Sequence, residues 1–313
     1  MFISVIIITR NREKDLKFTL KKYLEQTYQN KEIIVVDNAS DDGTKKMMAE
    51  EFPQINYQWL PDNLDIQAIN IGIEMSKGDV LWRTDDDSHP ESEDTFQKVA
   101  DILSSHNDVD IICSEDIEVN RNNTVWQWYP YKVDKKNVPP NGYKAHTFPG
   151  TGAAIRRKVY EKVGGFWGFG YEEIEFCTRA IVAGFNVRYF PNIRTLHYAS
   201  PANRISDWRY TRINSQLIRY QWRYFPFGKA LSRSLFYYFF QLFMGIVKRV
   251  AVSAWFEMLF LLPGIAFRTF REERNVVPRE RIKDITLGIS PYKSELKYFT
   301  GIIKSKFGRG ESK

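Results

Sequence analysis

Five short runs rich in β-branched residues recur through the first 115 positions with amphipathic stretches between them, and this alternation restricts the fold more than any other feature. Residues 4–9 (Ser-Val-Ile-Ile-Ile-Thr) are apolar enough to be buried on both faces of a strand, after which Leu16, Leu20, Tyr23 and Leu24 fall at helical spacing. Residues 32–37 form a second such run, and 55–60, 80–84 and 109–114 continue the series, with helical patterns near 66–76 and 91–105 and a later strand over 186–190 ending at the turn Pro191-Asn192, ahead of His197. Strands buried on both faces and separated by helices predict an α/β fold with a mainly parallel, doubly wound, Rossmann-like sheet. Ligands of such sheets sit beyond the carboxyl ends of the strands.

The residues just past each strand are therefore the candidates for a site. Thr9-Arg10-Asn11-Arg12, Asp37-Asn38 and Asp85-Asp86-Asp87 all fall at predicted carboxyl ends, so polar groups far apart in sequence converge on one crevice. Three adjacent aspartates repel one another, and a divalent cation relieves that repulsion. Oxygen ligands suit Mg²⁺ or Mn²⁺, whose shells are completed by water and substrate phosphates. A solvated acidic turn is the plain alternative. A second acidic cluster, Glu172-Glu173-Ile174-Glu175, comes after Trp167-Gly168-Phe169-Gly170. Glutamates are favoured at a helix start by its dipole, but a carboxylate there can also take the proton of an attacking hydroxyl.

Composition separates the last third from the rest. Residues 201–313 carry 21 Lys and Arg against 8 Asp and Glu, whereas the first 200 carry 24 against 30. A basic segment after an acidic-leaning one points to a polyanionic partner. Residues 235–247 and 250–267 are almost wholly apolar and aromatic, interrupted by Lys248-Arg249 and Pro263. The apolar runs are shorter than the ~20 residues a membrane span requires. Helices lying in the membrane interface, on an anionic surface, are therefore expected, with a helical subdomain as the alternative. The two cysteines, Cys113 and Cys177, lie far apart in apolar runs, and the N-terminus lacks a secretory pattern, so a reducing, cytoplasmic setting at the inner face of the membrane is expected.

Several motifs in a fixed order give the chain a resemblance. They are the opening strand with Thr9, Asp37 with Ser40-Asp41-Asp42-Gly43-Thr44 after it, and Ala68-Ile69-Asn70-Ile71-Gly72. Then come Gly78-Asp79 before Asp85-Asp86-Asp87, Gly150-Thr151-Gly152-Ala153, and Gly164-Gly165-Phe166 ahead of the acidic pair and the segment reaching His197. In this order, over roughly residues 3–225, the chain resembles the inverting family 2 glycosyltransferases with a GT-A fold. The resemblance implies a catalytic domain over 1–225 and then a basic, apolar helical region over 226–313. It implies transfer of a sugar from a nucleotide-diphosphate donor, UDP-linked above others, to a glycan or lipid-linked acceptor.

Site roles come from the same resemblance. Thr9, Asn11, Arg12, Asp37, Asn63, Asn70, Arg83, Asp85 and Asp86 would bind the nucleotide sugar. Asp87, Asp85 and His197 would hold Mn²⁺ or Mg²⁺. Glu173 stands where the family usually has aspartate and would be the general base, with Glu172 and Trp167 contacting the acceptor. Trp126, Trp128 and Tyr129 would join Trp167 in a sugar-stacking platform, or else pack in the core. Two rival classes remain: a nucleic-acid binder using the basic third, which lacks any recognisable module and is not expected, and a carbohydrate-binding scaffold without turnover.

Overall fold

Each predicted run becomes a strand in the computed structural model, which describes residues 1–121, 123–124, 133–199, 207–247, 250–293 and 300. The chain order is β1 (Ile3–Thr9), α1 (Glu13–Leu24), β2 (Lys31–Asp37), α2 (Thr44–Glu51), β3 (Asn56–Trp59), α3 (Ala68–Met75) and β4 (Val80–Asp85). It continues through β5 (Ser88–Pro90), α4 (Thr95–Ser105), β6 (Ile111–Glu118), β7 (Asn123–Thr124), β8 (Tyr143–Lys144), β9 (Ala153–Arg156), α5 (Arg157–Val163), α6 (Glu172–Val182) and β10 (Val187–His197). One sheet runs in the order β3-β2-β1-β4-β9-β6-β10-β5, with β7 on β6 and β8 on β10. Pairing is parallel among β1 to β4 and between β6 and β10, while β9 is antiparallel to both β4 and β6. The sheet is therefore mainly parallel and GT-A-like, divided by one reversed strand.

Alternating residues of the strands build two cores. Ile3, Val5 and Ile7 pack with Leu16, Leu20 and Tyr23 of α1 and Phe96, Val99 and Leu103 of α4. Ile34 and Val36 pack against Leu60, Ala68 and partly buried Ile71. Because α3 lies so close to the sheet, a Cβ at Gly72 would stand 2.5 Å from the Ile6 side chain. A larger residue there would force helix and sheet apart.

Three expectations change. The strand predicted to end near Phe190 continues to His197, because residues 191–193 make a register shift between Phe190 and Arg194 in place of the expected turn. Contacts divide the chain at Arg204/Ile205, ahead of the expected 225, because α7 (Asp207–Tyr224) packs with α8 (Phe227–Val247) and α9 (Val252–Glu272). Both α8 and α9 have 21 residues, long and apolar enough by themselves to cross a membrane. Pro263 lies inside α9 on an exposed face, so it removes one donor without ending the helix. A short α10 (Ile282–Thr286) follows α9.

Candidate active site

Register brings the acidic turn to the strand ends. Thr9 pairs with Asp37 across β1 and β2, and Ile8 pairs with Asp85 across β1 and β4, so three parallel strands end at one level. Asp86 and Asp87 turn the chain into β5, whose Ser88 pairs with His197 of β10. The bulged extension of β10 thus delivers the histidine to the aspartates.

The turn is saturated with positive partners. Thr9 Oγ1 donates to Asp86 Oδ2 at 2.7 Å, and Arg12 Nη1 lies 3.1 Å from Asp86 Oδ1 and 2.7 Å from Asp87 Oδ2. His197 Nε2 lies 3.5 Å from Asp87 Oδ1, and its Nδ1 lies 3.7 Å from Asp116. Burial would raise Asp87, but His197 and Arg12 outweigh it and hold the carboxyl down at about 2. Burial dominates at Asp86 and pushes it up to about 7 despite Arg12. Burial opposes charge on His197, yet pairing with Asp116 and Asp87 raises the ring to about 10.

The glutamates have a different setting. Asn70 clamps the loop ahead of them: its amide nitrogen donates to the Phe166 carbonyl at 2.9 Å and its oxygen accepts from the Phe166 N–H at 2.8 Å. Tyr171, the residue before α6, has φ +70°, a left-handed conformation that costs a side-chain-bearing residue about 1–2 kcal/mol. That reversal starts α6 with Glu172 and Glu173 turned inward, both buried. Burial pushes both carboxyls upward, and for Glu172 the neighbouring Glu173 adds to it.

One side chain joins the two clusters. Arg83 rises from the middle of β4 and is itself buried; its Nη2 lies 3.2 Å from Glu173 Oε1 and 3.7 Å from Asp85 Oδ1. Acids 88 positions apart in sequence therefore share one guanidinium nitrogen. Among the described residues the buried Arg83 Nε and Nη1 atoms have no hydrogen-bond partner, and a Cβ at Gly150 would stand 1.8 Å from Nη1. The charge of Arg83 is thus directed almost wholly at the carboxylates.

Other expected site residues act on the backbone. Tyr57 donates to Asp37 Oδ2 at 2.5 Å and the Ser40 N–H to Oδ1 at 2.8 Å, so fully buried Asp37 braces its loop. Asn11 accepts from the Asp41 N–H, tying the first turn to the second, and Asn63 caps an Asx turn by accepting from the Asp65 N–H. Trp167 is 45% exposed, and the Arg179 guanidinium stacks 4.2 Å from its ring. Sequence reasoning overlooked Arg179, which pairs with Glu175 and donates to the carbonyls of Val163, Gly164 and Gly165. Its i,i+4 spacing from Glu175 was the available signal. Trp126, Trp128 and Tyr129 lie outside the described residues.

The expected metal set fits only in part. Among the described residues no three His, Cys, Asp or Glu side chains gather closely enough to cage an ion. Asp85 turns towards Arg83, and His197 lies between Asp87 and Asp116, whose charges favour its protonated form. Asp85 and Asp87 remain as oxygen donors, a pair suited to an ion whose other ligands are water and phosphate.

Comparison with known proteins places this geometry in a family. The Glycosyl transferase family 2 profile matches residues 4–164, which includes the acidic turn and stops before Glu172. A probable glycosyltransferase of Bacillus subtilis, YdaM, is 26% identical over 80% of this chain and 65% of its own length. Glycosyltransferase AglE of Haloferax volcanii is 27% identical over 64% of this chain and 68% of its own length. The chain thus spans somewhat less than two thirds of YdaM. Among solved structures, S. aureus TarS residues 1–349 in complex with UDP-GlcNAc superimposes with a TM-score of 0.60 at 16% identity, covering 96% of this chain and 92% of that one. The mannosyltransferase PcManGT of Pyrobaculum calidifontis, in complex with GDP-Man and Mn²⁺, gives 0.52 at 16% identity, covering 96% and 80%. With the family profile spanning half of its length, the chain belongs to glycosyl transferase family 2.

Proposed function

We propose that this protein moves a glycosyl group from a nucleoside-diphosphate sugar to an acceptor hydroxyl by a single inverting displacement, with Glu173 as the base. The observation that carries the reading is the shared Arg83 nitrogen, which brings the acidic turn and the glutamate pair into one pocket. The bond from the anomeric carbon to the diphosphate oxygen breaks as the bond to the acceptor oxygen forms on the opposite face. Glu173 takes the acceptor proton, so it must be ionised; Arg83 favours that form while burial resists it. Burial and the neighbouring Glu173 both help Glu172 keep its proton, which suits it to donating to the acceptor. Arg12 and His197 set positive charge beside the departing diphosphate. Asp85 and Asp87 would hold Mn²⁺ or Mg²⁺, which when bound acts as a Lewis acid on the leaving group. A UDP-sugar is the first donor to test, with GDP-sugars next, since solved relatives were captured with each.

The second unit suggests where this happens. Leu231, Leu235, Phe239, Phe243 and Ile246 form an exposed stripe on α8, and Val252, Phe256, Phe260 and Phe267 are exposed on α9. Such stripes in a basic segment suit a peripheral position on the anionic inner face of a cell membrane, with a glycan or lipid-linked acceptor. A screen of nucleotide sugars with Mn²⁺ or Mg²⁺ tests the chemistry, with product anomeric configuration read by NMR. Activity unchanged in both Asp87→Ala and Glu173→Gln would reject the site.

A further inference from the structure

We infer that the groove between α7 and α9 is a seat for the phosphodiester headgroup of an anionic membrane phospholipid. This rests on the membrane-surface reading of the second unit and adds a defined site to it. The two helices run side by side in the same direction. Asp207 at the start of α7 accepts from the Ala251 N–H, and beyond the end of α9 the Val277 N–H donates to the Tyr224 carbonyl. The groove they enclose has a volume of about 510 Å³, within the range of small-ligand sites.

Its lining carries three arginines and two glutamates. Arg219 engages Glu273 with two hydrogen bonds, at 2.6 and 2.8 Å, so that pair is internally neutral. Arg212 and Arg268 form no ion pair among the described residues and are exposed to solvent. Thr211, buried on the same wall, has a hydroxyl without a hydrogen-bond partner among the described residues. Two free guanidinium groups suit phosphate oxygens. Glu257 on the lining counts against a dense polyanion such as nucleic acid and leaves room for a single phosphodiester.

The surroundings select a lipid over a soluble phosphate. Phe260 is 75% exposed and Trp208 53% exposed at the groove, and Phe260 continues the apolar stripe of α9. A water-borne ligand gives no reason to leave such rings in solvent, whereas an acyl-chain boundary does. The stripe would enter the interface while the arginines meet headgroups at its edge.

The test uses the full chain, with flotation on phosphatidylcholine vesicles with and without phosphatidylglycerol. Wild type is expected to bind the anionic vesicles. The Arg212→Ala/Arg268→Ala variant should bind them about tenfold or more weakly, because each arginine near the surface contributes to attraction. A control pair outside the groove, Arg279→Ala/Lys283→Ala, removes the same charge and should lose about threefold or less. Melting temperatures of both variants check the fold. Inorganic phosphate at millimolar concentration should not displace the protein; displacement would assign the groove to a soluble anion and overturn the inference. Equal losses in the two double variants would also overturn it, leaving general charge attraction. Wild type that floats with neither vesicle type would overturn the membrane reading itself, a separable result.

Discussion

Asp87 of the acidic turn and the glutamate pair are buried acids at the edge of one sheet, yet they are provided for in opposite ways. Asp87 has a guanidinium and an imidazolium on it and is held ionised far below neutral pH. Glu173 reaches one nitrogen of Arg83, which it shares with Asp85, and both Glu172 and Glu173 are pushed upward. Burial acts on both, so the difference lies in the number of cationic partners. A group that must stay charged is surrounded by cations, and a group that must receive a proton is left short of them.

The sharpest way to break this contrast is to remove the proton acceptor alone. Glu173→Gln should lower kcat by about 10²–10⁴-fold with donor binding little changed, as expected for loss of a general base. Calorimetry with UDP alongside steady-state kinetics separates the two effects. Next in size, Asp87→Asn should weaken binding of the nucleotide with Mn²⁺ by roughly tenfold to a hundredfold, the scale expected on disturbing a metal site. A reversed pattern, with Glu173 governing binding and Asp87 only the rate, would break the division of labour.

Arg83→Met sharpens it through pH. The base works only when ionised, and Arg83 favours ionisation, so its loss should move the acid limb of kcat/KM to higher pH by about one unit or more. Gly150→Ala should shift the limb in the same direction by less, since its new methyl displaces the guanidinium.

The smallest effect concerns stability. Glu172 has a raised value in the folded chain, so folding is opposed progressively as pH climbs from the ordinary carboxylate range towards that value. Glutamine cannot ionise, so Glu172→Gln should melt a few degrees higher at about pH 8.5 and with little difference at about pH 4.5. Calorimetric scans at the two pH values check the sign.

The parts legible in the sequence are those set by local pattern. Strands β1, β2 and β4 are continuous apolar runs because both faces are covered, and the rule about strand ends located the aspartates. What escaped depends on which distant residue a side chain meets. Arg83 looked like a donor ligand, and only its ion pair with Glu173 at the start of α6 turns it into a bridge. Asn70 and Asp37 carry the expected motif letters, and their side chains also hold neighbouring backbone and Tyr57. Pro191 suggested a strand end because proline usually interrupts a ladder, whereas a register shift absorbs it.

At the centre stand two carboxyls in one pocket, driven apart in acidity. A ¹³C NMR titration of side-chain carboxyls, assigned with Glu173→Gln and Asp87→Asn, measures that directly. Glu173 should titrate above the ordinary glutamate range and Asp87 below the ordinary aspartate range in the same molecule. Ordinary values for both would contradict it.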